Sequence, residues 1–446
     1  MEKLIVTGGK KLRGTVRVSG AKNVALKALV AACLTDEAVI INNVPLISDL
    51  FVNIEIIKEL GGEVKITDHT VSVCLKQIKT NKILLETAAR IRTSSMFLVP
   101  LLSRTGKAIV PNPGGCRIGA RPIDRTIKGL RKMGASIVYN SSDGYFYSKF
   151  NKSSVQRLKG MEYSFEKNTH TGTETLILAG VLALGKTVLK NAAEEPEVDE
   201  LIKLLNQMGA KITRVNPREI VIEGVEKLHG TTFSIGPDRN EIVTFGVAAV
   251  LTGGDITVEN ADIPYLSDFI NMLEKAGGGV EYKDQTIRFY AKKAIYPTDI
   301  ATSSYPGFMT DWQAPWAILM TQAKGKSTIH ETVYENRFGY VSELRKMGAH
   351  IDFFNPIVKN PRKFYNFNLE DNKIDYFHAV KIFGPSNLHN AVIEISDLRA
   401  GATLVLGALC ASGTSIIFGV EHLDRGYENF DKRLNKLGAQ IERVIE

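Results

Sequence analysis

Cysteine is scarce: Cys33, Cys74, Cys116 and Cys410 are the only four in 446 residues, far apart and without a C-x-x-C pair. That excludes a disulfide framework and gives no thiolate metal site. Long apolar runs are missing too. The start, MEKLIVTGGKKLRG, lacks the hydrophobic core of a signal peptide, and the most apolar stretch, around Leu176 to Leu184, is too short to span a bilayer. The expected protein is soluble and cytoplasmic. The net charge of +8 favours anionic partners, and with no dense Lys/Arg block a small phosphorylated ligand suits the excess at least as well as nucleic acid, which leaves the partner class open. With 44% hydrophobic and 23% charged residues, collagen-like and disordered classes fall away.

What the chain has is repetition. Six segments read as an amphipathic helix, a glycine stop and a strand: EIIKELGGEVKI, IKGLRKMGASIV, IKLLNQMGAKIT, INMLEKAGGGVEY, VSELRKMGAHIDF and FDKRLNKLGAQIE. The left-handed C-terminal cap of each helix falls on Gly61, Gly134, Gly209, Gly277, Gly348 or Gly438. Before each stands a second helix, apolar on most faces and therefore buried, followed by its own strand: ALVAACLTDEAVII, FLVPLLSRTGKAIV, LILAGVLALGKTVL, FGVAAVLTGGDITV, AILMTQAKGKSTIH and LVLGALCASGTSII. Each repeat thus predicts an inner and an outer helix with strands between, and six repeats divide into two α/β domains of three. Successive caps are 73, 75, 68, 71 and 90 residues apart, so the last repeat carries an insertion, expected as a surface excursion within Asn355 to Lys381.

Gly180 to Thr187, GVLALGKT, matches the phosphate-loop pattern G-x-x-x-x-G-K-[ST]. A phosphate cradle needs a strand before it and a helix after it, whereas this stretch ends an inner helix and leads into a strand. It is read as a turn.

The turns leading into the inner helices carry the chemistry. They read SGAKNVAL, AARIRTSSMF, EKNTHTGTETL, GPDRNEIVTF, YPGFMTDWQAP and ISDLRAGATL. A cation at a helix start opposes the helix dipole, so the recurrence of Lys22, Arg92, Arg239 and Arg399 there calls for an anionic ligand. The segment PNPGGCRIGARPID, Pro111 to Asp124, is too rich in Gly and Pro for helix or central strand. Its thiol, Cys116, is flanked by Arg117 and Arg121, and nearby positive charge favours a reactive thiolate. Cys33, Cys74 and Cys410 sit in apolar contexts and read as inert filler.

These pieces, in this order, resemble the enolpyruvyl transferases over essentially the whole chain. The motifs that carry the likeness are SGAKN at Ser19, PGGCRIGARPID at Pro113, NAAEEPE at Asn191, YPGFMTD at Tyr305, ETVYENRF at Glu331, SDLRA at Ser396 and HLDRGYE at His422. The resemblance implies a two-domain inside-out α/β prism, the EPSP synthase-like fold, with residues 22–236 as one domain, 1–21 joining 237–446 as the other, and the active site in the cleft. It implies transfer of the enolpyruvyl group of phosphoenolpyruvate to the 3-hydroxyl of UDP-N-acetylglucosamine with release of phosphate, the first committed step of peptidoglycan synthesis. A different nucleotide sugar or other acceptor is the alternative. No metal or redox cofactor is implied, and the chain is expected as a monomer or weak homo-oligomer.

By the same resemblance Cys116 is the acid toward the donor's methylene carbon and Asp311 the base toward the sugar hydroxyl, with Lys22 and Arg399 as further catalytic groups. Phosphoenolpyruvate falls to Lys22, Asn23, Arg92, Arg121, Arg399 and Arg425. The sugar nucleotide falls to Asn23, Arg92, Arg121, Pro122, Ile123, Asp124, Lys167, Thr169, Asp311 and Val333. Supporting ion pairs are expected of Glu335 with Arg337, Asp397 with Arg399, and Arg239 with Glu241. The chain departs from the family pattern at Asn168 to Thr175, NTHTGTET in place of a run like SVGAT, at Arg125 and Thr126 in place of Leu and His, and in the late insertion.

Overall fold

The computed structural model describes residues 2–115, 119–150, 157–292 and 294–445. The chain forms two compact units, one of Gly20–Cys116 with Pro122–Gly236, the other of Met1–Ser19, Arg117–Arg121 and Pro237–Glu446.

In the first unit the inner helices are α1 (Lys22–Ala32), the α3 segment (Leu98–Thr105, preceded by a 3₁₀ turn Arg92–Phe97) and α5 (His170–Gly180). The outer ones are α2 (Ser48–Glu59), α4 (Asp124–Lys132) and α6 (Pro196–Gln207). The second unit repeats the plan with inner α7 (Arg239–Leu251), α9 (Gln313–Met320) and α11 (Leu398–Cys410), and outer α8 (Ser267–Lys275), α10 (Val341–Lys346) and α12 (Phe430–Lys436). Every residue of α7 and of α9 is buried, as the all-round apolar sequence requires, while the outer helices bury one stripe and leave Lys and Glu in water. α3 packs on α5, and α7, α9 and α11 pack on one another. Truncating a fully buried leucine here, such as Leu404, costs roughly 2–5 kcal/mol.

Among the described residues three sheets flank the helices in each unit. In the first they order as Thr232–Ser234, Val39–Asn42, Thr70–Cys74, Glu63–Thr67; as Lys107–Pro111, Tyr145–Phe150, Ala135–Asn140; and as Lys211–Asn216, Glu219–Glu223, Lys186–Lys190, Glu162–Ser164. In the second, Glu2–Thr7 lies between Thr414–Phe418 and Gln440–Ile445, and Arg13–Arg17 pairs in parallel with Asp255–Glu259. The N-terminal strands therefore complete sheets built from the last two hundred residues.

All six cap glycines adopt the left-handed conformation, with φ from +90° to +99°. The residue after each turns the chain back. At the first, the Gly62 N–H donates to the Ile57 carbonyl and the Gly61 N–H to Lys58, the Schellman pattern that frees the chain to start a strand. The GVLALGKT segment is a turn: Gly180 ends α5 and the strand begins at Lys186.

The late insertion is more than a surface excursion. It joins His350–Phe354 to Ala379–Gly384 through helical turns at Pro361–Phe364 and Leu369–Asp371, so Lys381 is strand rather than insertion. Tyr365 and Phe367 are buried and stacked with centroids 4.8 Å apart, and His330, whose ring stacks on Phe364, bonds the Tyr365 hydroxyl at 3.1 Å. Aromatic burial fastens the insertion to its sheet.

Candidate active site

In the second unit the turn before α9 aims Asp311 at two cations. Arg337 Nη2 lies 2.8 Å from Oδ1 and Arg399 Nε 3.3 Å from Oδ2, both guanidinium groups being nearly inaccessible to water. Burial alone would raise the Asp311 carboxyl, but Arg399 and Arg337, with Arg121 adding to them, outweigh it and hold the group down to about 2. Asp311 sits within the 3₁₀ turn Thr310–Trp312, and no side chain caps that turn. Its charge goes to the guanidinium groups, so it is not the N-cap that Asp so often supplies.

Arg399 is the second residue of α11. Asp397, the N-cap, accepts from the backbone N–H groups of Arg399 and Ala400 at 2.9 and 3.1 Å, which fixes where the Arg399 side chain departs. The Arg399 guanidinium lies 5.3 Å from the Tyr427 ring centre, a cation–π contact beside the Arg425 loop. Glu331 is buried, and burial pushes its carboxyl up. It accepts from Thr310 Oγ1 at 2.8 Å and from the Val333 and Tyr334 N–H groups at 2.7 and 3.0 Å. Val333 is thereby tied to the Asp311 turn.

Glu335 does not pair with Arg337 as expected. Its Oε1 accepts from the Ala120 N–H at 2.5 Å, and a Cβ on Gly119 would collide with the same carboxylate. Glu335 thus anchors the chain just after the Cys116 segment and just before Arg121, whose guanidinium lies 5.7 Å from the Tyr334 ring centre. The expected Arg239–Glu241 pair is also replaced. Glu241 holds Arg433 at 2.6 Å and accepts from the Ser19 N–H at 2.9 Å. Arg239, the first residue of α7, lies over the rings of Tyr305 and Trp312 at 5.1 and 5.8 Å. Glu335, Arg337, Glu241 and Arg239 thus each meet residues remote in sequence, while Asp397 turns to the backbone N–H groups of its own helix rather than to the Arg399 guanidinium.

In the first unit Lys22 begins α1, buried, with Nζ 2.8 Å from Asp49 Oδ2 on α2; Asn23 follows, half-buried. Arg92 begins the turn that leads into α3. A Cβ on Gly114 would stand 1.6 Å from the Ala89 carbonyl, and one on Gly115, at φ +111°, 3.3 Å from Arg92 Cβ. Only glycine permits this approach, so the chain entering the thiol segment lies against the Arg92 backbone. Cys116 itself, with Arg117, is outside the described residues. Of the other thiols, burial pushes Cys33 up to about 12 and Cys410 up to about 11, in keeping with inert filler.

Pro122 is exposed, Ile123 precedes α4 and Asp124 is its first residue. Thr169 caps α5, its Oγ1 accepting from the Gly172 N–H at 3.2 Å, and Lys167 stands half-buried two residues earlier. The two departures from the family pattern touch: Arg125 Nη1 donates to the Asn168 carbonyl at 3.4 Å, and Asn168 Nδ2 to the Ala192 carbonyl at 3.1 Å. Sequence reasoning missed Asp49 and Tyr427 as partners of the cations, Arg337 as a partner of Asp311, and the ion pairs His170–Glu174 and Lys27–Glu174 beneath the Thr169 turn. Of these only the i,i+4 spacing of His170 and Glu174 was a readable local signal.

The EPSP synthase (3-phosphoshikimate 1-carboxyvinyltransferase) family model matches residues 6–434. A UDP-N-acetylglucosamine 1-carboxyvinyltransferase of Koribacter versatilis is 42% identical over all of this chain and 97% of its own length. The protein of that name from Desulfosudis oleivorans is 41% identical over the whole of both chains. Among solved structures, the enolpyruvyl transferase NikO from Streptomyces tendae superposes with a TM-score of 0.86 at 24% identity, covering 99% of each chain. EPSP synthase from Acinetobacter baumannii gives 0.72 at 20%, covering all of both. These two share the fold, the two-domain α/β architecture that the sixfold repeat predicts. With a family match from residue 6 to 434 and whole-length relatives above 40% identity, the chain belongs to the EPSP synthase family of carboxyvinyltransferases.

Proposed function

We propose that the protein transfers the enolpyruvyl group of phosphoenolpyruvate to the 3-hydroxyl of UDP-N-acetylglucosamine, releasing phosphate, as a cytoplasmic enzyme opening peptidoglycan synthesis. The observation that carries this reading is the whole-length identity to enzymes named for that reaction. No helix among the described residues is long and apolar enough to cross a membrane. The enzyme acts as a monomer or weak homo-oligomer, without nucleic acid.

The groups described above suit the chemistry. Phosphoenolpyruvate carries a phosphate and a carboxylate close together, and Lys22, Arg92, Arg121, Arg399 and Arg425, with Asn23, hold them. Fixed cations of this kind stabilise charge that develops during addition and elimination. The sugar oxygen bonds to C2 of the donor while its proton passes to Asp311, and C3 takes a proton from Cys116. Loss of a proton from C3 then breaks the C2–O bond to phosphate and restores the double bond. Pro122, Ile123 and Asp124 with Lys167, Thr169 and Val333 position the sugar nucleotide.

Asp311 at about 2 is a weak base while both guanidinium groups hold it. A bound donor anion competes for Arg399, and each partner lost raises the carboxylate's affinity for a proton. Donor binding therefore activates the base. The test is phosphate release from phosphoenolpyruvate with UDP-N-acetylglucosamine, with UMP and with shikimate 3-phosphate. Release with the first supports the reading, and release only with either of the others contradicts it.

A further inference from the structure

Four of the six inner helices or their leading turns open on a full cation: Lys22 and Arg239 at first positions, Arg92 at the head of its turn, and Arg399 at the second position of α11. The turn before α9 instead carries Asp311. The remaining helix, α5, opens on His170, which a count of Lys and Arg passes over.

His170 is built to be charged. Its Nε2 lies 3.1 Å from Oε1 of Glu174, one helical turn on, and Lys27 of α1 approaches Oε2 at 3.2 Å. Glu174 is wholly inaccessible to water, Lys27 nearly so, while His170 keeps 24% of its side chain exposed. The charged groups facing the imidazole are Glu174 on its own helix, Lys27 from α1 and Glu195 at the N-cap of α6. With His170 protonated the four charges sum to zero. With it neutral, one negative charge is left buried beside the Thr169 cap, where water cannot screen it. Burial, the largest single influence, disfavours the imidazolium, and Lys27 adds to it, but the charge and hydrogen bond of Glu174 together with the charge of Glu195 outweigh both, so the affinity for the proton rises above that of an ordinary histidine.

We propose that His170 is the fifth cation of this series, a determinant of sugar-nucleotide affinity whose proton makes the Lys167–Thr169 turn receptive to the diphosphate. The inference rests on the acceptor proposed above. It explains why the departure NTHTGTET brings a histidine and a glutamate together: Glu174 supplies the charge that keeps His170 cationic, and Lys27 prevents the carboxylate from being left unpaired when the proton leaves. As pH rises through the raised value, the proton is lost, the net negative charge appears and the diphosphate is repelled.

The experiment is calorimetric binding of UDP-N-acetylglucosamine, without donor, to the full chain at about pH 6 and about pH 8.5. The wild type should weaken by about tenfold on going to the higher pH, the scale of one charge-assisted contact. His170→Gln should bind weakly at both, and His170→Arg tightly at both. In parallel, the His170 imidazole resonance should titrate above about 6.5, the ordinary histidine value, and lower in Glu174→Gln. The same pH dependence in His170→Gln as in the wild type, or an imidazole titrating below the ordinary value, overturns the role of His170 while leaving the acceptor intact. Absence of UDP-N-acetylglucosamine binding at either pH overturns the acceptor, and this inference with it.

Discussion

The Asp311 carboxylate is shared between Arg337, 2.8 Å from one oxygen, and Arg399, 3.3 Å from the other. One partner, Arg399, is also a donor-binding group in the proposed reaction, and the other is not. The arrangement separates a fixed clamp from one that the substrate can take over.

Replacing Asp311 by Asn keeps the shape and removes the base. Turnover should fall by roughly 10²–10⁴-fold, the usual worth of a general base, with sugar-nucleotide binding still measurable by calorimetry. Unchanged turnover would remove Asp311 from the mechanism.

Arg337→Met leaves Asp311 with Arg399 alone. The carboxyl, at about 2 in the intact protein, should rise. In the wild type its depressed value adds stability that is complete above the unfolded-state value and is lost only as pH falls through the folded one. That contribution is on the order of 2 kcal/mol. The variant should therefore begin to unfold at higher pH on acidification, and the acid limb of kcat/KM should move upward. An acid limb unmoved by Arg337→Met would mean that Asp311 does not set it.

A thiol-directed epoxide such as fosfomycin should label one cysteine, and Cys116→Ser should abolish the labelling. Cys33 and Cys410, pushed up to about 12 and about 11, carry almost no thiolate at neutral pH. Peptide mapping that finds the adduct on another cysteine would contradict the role of Cys116.

The insertion should give the protein an acid sensitivity. His378 is buried against Tyr365 and Phe367, and burial, with His330 adding to it, holds it down to about 4. The unfolded chain protonates near the ordinary value, so stability is complete above about 6.5 and declines as pH falls toward the folded value, by up to roughly 3 kcal/mol. His378→Phe should flatten that decline in denaturant titrations across the range. An unchanged slope would show that His378 does not cause it.

Periodicity made the fold legible. Gly61 and its five counterparts mark helix ends because a left-handed cap excludes most other residues, and the all-round apolar segments could only be inner helices. The order of helix and strand around GVLALGKT was likewise readable and sufficed to reject a phosphate loop. The turns carrying Lys22, Arg92, Asp311 and Arg399 could be named from the dipole argument and the motifs. Their partners could not. Glu241 reaches Arg433, 192 residues away, and Asp311 reaches Arg399, 88 away, so the nearer pairings that the sequence suggests lose to contacts made only by the folded repeats. The insertion escaped for another reason: a segment rich in Asn, Lys, Phe and Tyr spells a loop by composition, while Tyr365 and Phe367 are buried against each other and against His330 and His378, which the sequence does not bring together.

The central claim is transfer of an intact three-carbon enol ether to one hydroxyl, and the product tests it directly. Wild-type protein with carbon-13-labelled phosphoenolpyruvate and UDP-N-acetylglucosamine should yield a nucleotide sugar carrying the enolpyruvyl group on its 3-oxygen, with one phosphate released per group transferred. Labelled pyruvate with unmodified sugar nucleotide would contradict it.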